Sequence, residues 1–428
     1  MKAENIQRRL YFTVTKMSTA QHTDQYHEQN TTQYHEKNTT QDQGQNTNQN
    51  NCRNSEPDAP NLSIIIPVYN GEHYIENTVC SVLNSSWRDL ELLLIDDGST
   101  DSSLAICTRL AEADTRIKVY HKANGGIAEA RNYGLIHARG NHIGFCDQDD
   151  EVHEEMYQKM LERIALDGSQ AAICGCYRQK RSGKCVTFQK YTDDVFEGSQ
   201  IRQKLLLPML FKGFAAYAND EISIYTSIWN CVISRQLIED KKMRFNSFVN
   251  YEDDLIMLLQ LLLKADRIST LSDIFYYWNT NTHSESHHSA VRYIPDLESK
   301  QQNLIDYITG SLTDHEVSPE VIAQYIYVQH CRNALLQLDN MAALNDCKFL
   351  RKMKDLRICS CIRYVQSSSY TVKPAKGFIR NTILIPMLCK NHVAAAYVLN
   401  QLLNTLRLCV EKYQITEKME RMLKNRTT

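Results

Sequence analysis

The 428-residue chain lacks any window of eighteen apolar residues, which argues against a membrane-spanning helix. The start, MKAENIQRRLYFTVTKMS, is basic, but its short apolar core is broken by Thr13. That is too short for a secretory signal, so a cytoplasmic location is expected. No C-x-x-C occurs among the fourteen cysteines. The nearest pairs, Cys174/Cys176 and Cys359/Cys361, have no histidine at zinc-finger spacing, so zinc is not supported and buried free thiols are expected. An excess of one charge is also missing: the net charge is −2, which says nothing about partners. What remains is the composition of a soluble globular protein, 43% hydrophobic and 23% charged, long enough for two or three domains.

The first 60 residues have few apolar side chains and repeat one unit in tandem, QYHEQNTT at 25–32 and QYHEKNTT at 33–40. Such a segment cannot bury enough apolar surface to offset its ordering entropy, so 1–60 is expected to be a disordered tail rather than a Tyr-His-Glu metal site. Order is expected from NLSIIIPVYN, a buried strand ended by Pro67. The stretch GEHYIENTVCSVLNSS then sets Tyr74, Ile75, Thr78, Val79 and Val82 on one helix face. LELLLIDDGSTD reads as a second strand, with Asp101 placed to cap the following helix, and IKVYHK and NHIGFCD as the third and fourth strands. Strand and helix alternating at these intervals predict an α/β fold. Its central sheet is mostly parallel and Rossmann-like, with helices on both faces. Ligands bind such sheets at the carboxyl ends of the strands. Each strand here ends in a polar cluster: Tyr69-Asn70, Asp96-Asp97, Asn124-Gly125-Gly126 and Asp147 to Asp150.

In an extended segment alternate residues point the same way, so Asp147 and Asp149 of the D-x-D in FCDQDDEV can face one ligand. Two close carboxylates repel unless a cation or proton intervenes, and an oxygen-only pair suits Mn²⁺ or Mg²⁺. The competing explanation is a helix start, since acids favour the N-terminal dipole. Asp150 is assigned that part.

Residues 62–165 resemble the catalytic domain of the family 2 glycosyltransferases, which have the GT-A fold. The matching pieces are SIIIPVYNGEHYIENTVCSVLNSS, LLLIDDGSTDSS, NGGIAEARNYGL and IGFCDQDDEV, in the family's order. The resemblance implies transfer of a sugar from a nucleotide-diphosphate donor, expected to be a UDP-sugar, with inversion. By position it implies donor contacts at Pro67, Tyr69, Asp97 (the base), Asn124, Arg131 and Asp147, with the metal on Asp149 and Asp147. More weakly it extends to about 290. SIWNCVISRQLIEDKKMRFN matches around Trp229 and Asn230, and Glu252-Asp253 fits the family's Glu-Asp pair, whose aspartate is the general base. Direct displacement needs one carboxylate to take the acceptor hydroxyl's proton, opposite a departing diphosphate whose charge the metal neutralises. Asp253 is the candidate, Asp254 the rival, and capping of the next helix the alternative. In YYWNTNTHSES, Trp278 stands where the family commonly has Arg, and His283 is placed near the diphosphate or in an ordinary loop.

The resemblance thus implies a catalytic domain over 61–290, with a nucleotide-sugar half at 61–175 and an acceptor half at 176–290. A helical region follows at 291–428, in which Leu399, Leu402, Leu403 and Leu406 form an amphipathic stripe. Between Cys347 and Lys390 ten basic residues face one acid, Asp355, which predicts either a solvated face or a peripheral contact with anionic lipid. GFIRNTILIPMLCK would supply the inserted apolar residues. Nucleic acid is not expected, because no binding module accompanies the basic run. The sequence therefore predicts a metal-dependent inverting glycosyltransferase acting on a glycan or lipid-linked acceptor in surface polysaccharide synthesis. A nucleotidyltransferase would need a Gly-rich basic loop where PVYNGEHY stands. A non-catalytic binding protein of this fold would lack the base or metal pair.

Overall fold

The computed structural model describes residues 59–179, 185–218, 221–248, 252–280, 293–344, 347–375 and 379–406. The repeat-bearing tail and His283 lie outside the described residues.

The first half alternates as its periodicity predicts. β1 (Leu62–Val68), α1 (Ile75–Leu83), β2 (Leu90–Asp96), α2 (Ser103–Ala113), β3 (Ile117–His121), α3 (Ile127–His137) and β4 (His142–Phe145) follow one another. All seven residues of β1 and of β2 are buried. Both faces of the sheet are covered, so these strands read as continuous apolar runs. β1 pairs in parallel with β2 and β4, and β2 with β3, which brings four carboxyl ends to one rim. Pro67 does not end the first strand: it pairs with Ile95, and β1 continues to Val68. On its other side β4 pairs only as far as Ile65, so no ladder there requires the missing N–H of Pro67. Asp101 does serve α2, accepting from the Ser103 N–H at 3.0 Å.

After β5 (Glu151–Val152) come α4 (Met156–Asp167), β6 (Ala171–Gln179), β7 (Cys185–Gln189), β8 (Val195–Glu197) and helical turns over 199–210. Then follow β9 (Cys231–Ser234), α5 (Arg235–Asp240), α6 (Asp253–Lys264) and β10 (Arg267–Asn279). The sheet order is β3-β2-β1-β4-β9-β6-β10-β5, with β7 on β6 and β8 on β10. β9 lies antiparallel between β4 and β6 and so joins the two halves of one mixed sheet. β10 runs parallel to β6 with register shifts between Thr270 and Tyr276. These irregularities reset the alternation and aim the Tyr276 ring at the end of β4.

The remaining described residues are helical: α7 (Leu297–Asp314), α8 (Pro319–Ala343), α9 (Phe349–Ile358), α10 (Ser360–Ser367), α11 (Ile379–Cys389) and residues 393–406. Ser318 caps α8 by accepting from Val321, and Pro319 fills the first helical position, where no N–H is needed. α8 docks on the sheet half through Arg332, which donates to the Lys212 carbonyl at 2.7 Å. In the last helix Leu399 and Leu403 pack on the core while Leu402 and Leu406 stay exposed, so only one edge of the stripe is packed. The thiols of the described cysteines are free as expected, but not all are buried, since Cys80 and Cys185 are exposed. Among the described residues no helix is long and apolar enough to cross a membrane.

Candidate active site

The rim of parallel strand ends is cross-linked by the residues that follow each strand. The Gln148 amide pairs with the Tyr69 backbone in both directions, accepting its N–H at 2.9 Å and donating to its carbonyl at 3.0 Å. The middle residue of the D-x-D thus clamps β4 to β1, leaving Tyr69 half-exposed at the rim beside Pro67. Asp97 accepts from Lys122 Nζ at 2.6 Å and from the Gly125 and Gly126 N–H groups. Asn124 donates to the Asp97 carbonyl at 2.9 Å. Gly126 takes φ of 87°, a left-handed value that keeps its N–H on the carboxylate and starts α3.

Arg131 is the centre of the site. It sits on α3, is 1% exposed, and lies over the Phe245 ring. Its Nη1 donates to Asp253 and, at 2.6 Å, to Asp254; its Nη2 donates to Asp147 at 2.7 Å. One guanidinium therefore joins the acid ending β4 to both candidate bases at the start of α6. Phe245 is itself fixed by Asn132, whose amide accepts its N–H and donates to its carbonyl, each at 2.9 Å. The resemblance placed Arg131 beside the nucleotide; in the structure its hydrogen bonds go to three carboxylates. The acids of α6 occupy its first turn, where the helix dipole favours them, yet their side chains are held by Arg131 rather than by capping bonds.

Asp150 does not begin the next helix, which corrects the sequence reading. β5 and a turn intervene before α4 at Met156. Asp150 is fully buried and accepts from Tyr276 Oη at 2.8 Å and from the Asn279 N–H at 2.7 Å. Burial, with the charges of Asp149 and Asp147, raises its pKa well above the ordinary carboxyl range. Tyr276 Oη also accepts the Asp147 N–H at 3.1 Å, and its ring stacks on Trp229 at 4.1 Å. Asn230 locks the adjacent strand by donating to the Cys174 carbonyl. Tyr276, Asn132 and Lys122 escaped the sequence reading; the tyrosine lay in YYWNTNTHSES, but nothing local marks it as a partner of Asp150.

The carboxyls near Arg131 relieve their repulsion partly through protons. Burial pushes Asp254 up to about 8 despite the guanidinium, with Asp253 and Asp147 adding to the rise. Glu252, which turns away from Arg131 towards the C-terminal helices, is pushed up to about 7 by burial, opposed by Arg332. The folded state therefore keeps protons that unfolded carboxyls release above about pH 4. The stability this proton gives is fully present at low pH and is lost as pH rises towards 8. Asp254→Asn keeps the neutral form at every pH, so the variant is expected to gain on the wild type by up to about 1.4 kcal/mol per pH unit between pH 5 and 7.5. Melting temperatures across that window check this; a constant offset would show that Asp254 titrates normally.

The acid-rich end of β4 fits a hard divalent cation. The atoms that Asp147 and Asp149 would offer are all carboxylate oxygens, and the neighbouring Asp150 is held towards its protonated form by burial first and then by the charges of Asp149 and Asp147. Among the described residues no group of three His, Cys, Asp or Glu is placed to hold a metal ion by itself. Asp147 and Asp149 would thus be the chain's share of a coordination sphere completed by substrate and water.

Residues 63–219 match the family model described as glycosyl transferase family 2. An uncharacterized glycosyltransferase of Bacillus subtilis (strain 168), EpsJ, is 28% identical over 77% of the chain and 92% of its own length. The chondroitin synthase of Pasteurella multocida (strain Pm70) is 24% identical over 78% of the chain, which spans only 33% of that larger protein. Among solved structures, residues 1–349 of S. aureus TarS in complex with UDP-GlcNAc share the fold at a TM-score of 0.54 and 19% identity, covering 80% of the chain and 91% of theirs. The family's model, the strand-end rim it occupies and the glycosyltransferase relatives agree: residues 63–219 are a domain of glycosyl transferase family 2, on a GT-A fold.

Proposed function

We propose that the enzyme transfers a sugar from a UDP-sugar, with inversion, to a glycan or lipid-linked acceptor in surface polysaccharide synthesis. The observation that carries this is the Arg131 bridge, which holds the donor-end acid Asp147 and the base candidates Asp253 and Asp254 on one guanidinium. Similarity to the chondroitin synthase supports a glycan acceptor, and similarity of fold to the TarS complex supports a UDP-sugar donor.

In this reading the donor lies across the rim, with its nucleotide along Pro67, Tyr69, Asp97 and Asn124. A divalent ion held by Asp147 and Asp149 would neutralise charge on the leaving diphosphate. Asp253 takes the proton of the acceptor hydroxyl as that oxygen bonds to the anomeric carbon and the bond to the diphosphate breaks. Asp254 is the weaker candidate, since at neutral pH it still holds its own proton. Arg131 keeps both acids turned to the donor end, and Tyr276 fixes the backbone of Asp147.

A panel of nucleotide sugars, read by release of nucleoside diphosphate with and without Mn²⁺, tests this. UDP-sugars are expected to give metal-dependent release, and Asp149→Ala to weaken Mn²⁺ affinity by at least tenfold. Unchanged metal affinity in that variant would remove the metal assignment, and release from other nucleotide sugars alone would remove the donor assignment.

The reading includes a peripheral contact with anionic lipid through the basic region, but on a different element from the one the sequence indicated. Leu384, Ile385 and Leu388 of α11 are buried, which leaves Ile383 exposed among the described apolar residues of GFIRNTILIPMLCK and makes that helix the poorer candidate for insertion. α9 instead exposes Phe349, Leu350 (81%) and Ile358 beside Lys348, Arg351, Lys354 and Arg357. Each basic residue near an anionic surface contributes about 1 kcal/mol. Wild-type protein is expected to sediment with phosphatidylglycerol vesicles and Leu350→Glu/Lys354→Glu to remain in the supernatant. Equal sedimentation of the two would sink the membrane contact.

A further inference from the structure

Cys359 and Cys361 stand where two helices meet. Cys359 both caps α9 and opens α10: its N–H donates to the Asp355 carbonyl at 3.1 Å, and its carbonyl accepts from the Arg363 N–H at 3.1 Å. Its φ of −57° and ψ of 129° are not helical, so the chain turns at this residue. Across the turn the two sulfurs lie 3.2 Å apart, both as free thiols. The α10 side of the junction is well anchored. Tyr364 stacks on His330 of α8 at 4.1 Å, Ile362 and Val365 are buried, and the Ser360 N–H donates to Glu298 of α7 at 2.7 Å. α9 buries Met353 and Leu356 but leaves Phe349, Leu350 and Ile358 exposed. The other C-x-C pair, Cys174/Cys176, is built into β6 inside the sheet, and there Cys176 Sγ donates to the Tyr177 carbonyl.

We infer that Cys359 and Cys361 form a reversible dithiol–disulfide switch at the α9–α10 junction, oxidised by hydroperoxide. Closing the bond brings the sulfurs from contact to about 2.05 Å, an approach of roughly 1 Å. Cys359 is 6% exposed and lies between the exposed Ile358 and Ser360, which admits a molecule as small as hydrogen peroxide. It is also the better nucleophile. The hydrogen bond with Cys361 holds its thiol below the ordinary value, against burial and the charge of Glu298, while the Cys361 thiol is raised in return. The N-terminus of α10 favours the same thiolate. The Cys359 thiolate attacks one peroxide oxygen, the O–O bond breaks, and hydroxide leaves to become water with the proton Cys359 gave up. The Cys361 sulfur then attacks the sulfur of the resulting sulfenic acid. The S–O bond breaks, and the departing hydroxyl takes the Cys361 proton as a second water. Two electrons thus pass from the two sulfurs to one peroxide. The ring so closed spans only Ser360, and a ring that small is readily reopened by a thiol, which makes the bond a switch rather than a staple. With α10 anchored on α7 and α8, the turn needed at Cys359 is taken up by the last turn of α9, whose carbonyls it caps.

Mass spectrometry of the full-length protein tests this. Reduced protein is treated with hydrogen peroxide, its remaining thiols are alkylated, and trypsin cleavage after Arg357 and Arg363 releases one peptide carrying both cysteines. That peptide is expected to become unalkylated and lighter by two hydrogens at least tenfold faster than the peptide carrying Cys174 and Cys176. Glutathione is expected to return it to the dialkylated form. With Cys361→Ser, which removes the resolving thiol, dimedone is expected to trap the sulfenic acid on Cys359. Amide hydrogen exchange in the last turn of α9 is expected to quicken at least threefold in the oxidised protein. The inference is overturned if the peptide stays dialkylated, if both C-x-C pairs oxidise at the same rate, or if oxidation leaves exchange in α9 unchanged.

Discussion

Asp253→Asn is expected to lower kcat by 10²- to 10⁴-fold, the range for loss of a positioned general base, with affinity for UDP unchanged within twofold. The substitution is isosteric, and the amide oxygen still accepts from Arg131, so the structural role of the side chain is largely kept. What disappears is the carboxylate's capacity to take a proton. Oδ2 of Asp253 is engaged by Arg131, and Oδ1 makes no hydrogen bond among the described residues. A free oxygen on an otherwise fixed carboxylate is what an incoming hydroxyl requires. Asp254 is less suited: its Oδ1 is on the same Arg131 nitrogen, and its carboxyl retains a proton up to about pH 8. Steady-state kinetics on Asp253→Asn and Asp254→Asn at pH 7 separate the two. Full turnover in the first with collapse in the second would move the base to Asp254. A fall in both UDP affinity and kcat for Asp253→Asn would make it a positioning residue.

The alternation of β1 to β4 with α1 to α3 was legible because each signal is local: buried apolar runs, a helical face and the turn residues between them. The clustering of acids at the strand ends followed from the fold, since parallel strands direct their carboxyl ends to one rim. The partners of those acids were not legible. Arg131 and Asp253 are separated by 122 residues, and Asp150 and Tyr276 by 126. No periodicity encodes such a pairing. For Asp150 the local rule, acids at a helix start, lost to a tertiary one, because the bulged β10 delivers a hydroxyl and a backbone N–H to its carboxylate. The apolar run of α11 was ambiguous for a related reason. An apolar stretch in a basic context fits either a membrane or a core, and packing alone shows that Leu384, Ile385 and Leu388 belong to the core.

Arg131→Met is expected to destabilise the protein by about 3–5 kcal/mol, the usual cost of leaving buried charge without its partner. The residue gives up more than one pair: Asp147, Asp253 and Asp254 all lose their cation together, in a site where burial already holds Asp150 towards its neutral form. Part of the loss can be recovered by protonation. Without the guanidinium, whose charge opposes the rise at Asp254, that carboxyl is raised further, so the variant binds more protons folded than unfolded over a wider range. Its stability must then fall more steeply than that of the wild type as pH increases. The expected pattern is a small deficit at pH 5 that widens by pH 8, read from urea midpoints at each pH. Arg131→Lys should fall between, because one ammonium cannot make the forked contacts that reach three carboxylates. A deficit below about 1 kcal/mol at pH 8, or one that does not change with pH, would show that the three acids do not depend on Arg131. The donor end and the base would then be independent parts of the site, and mutations at one would not be felt at the other.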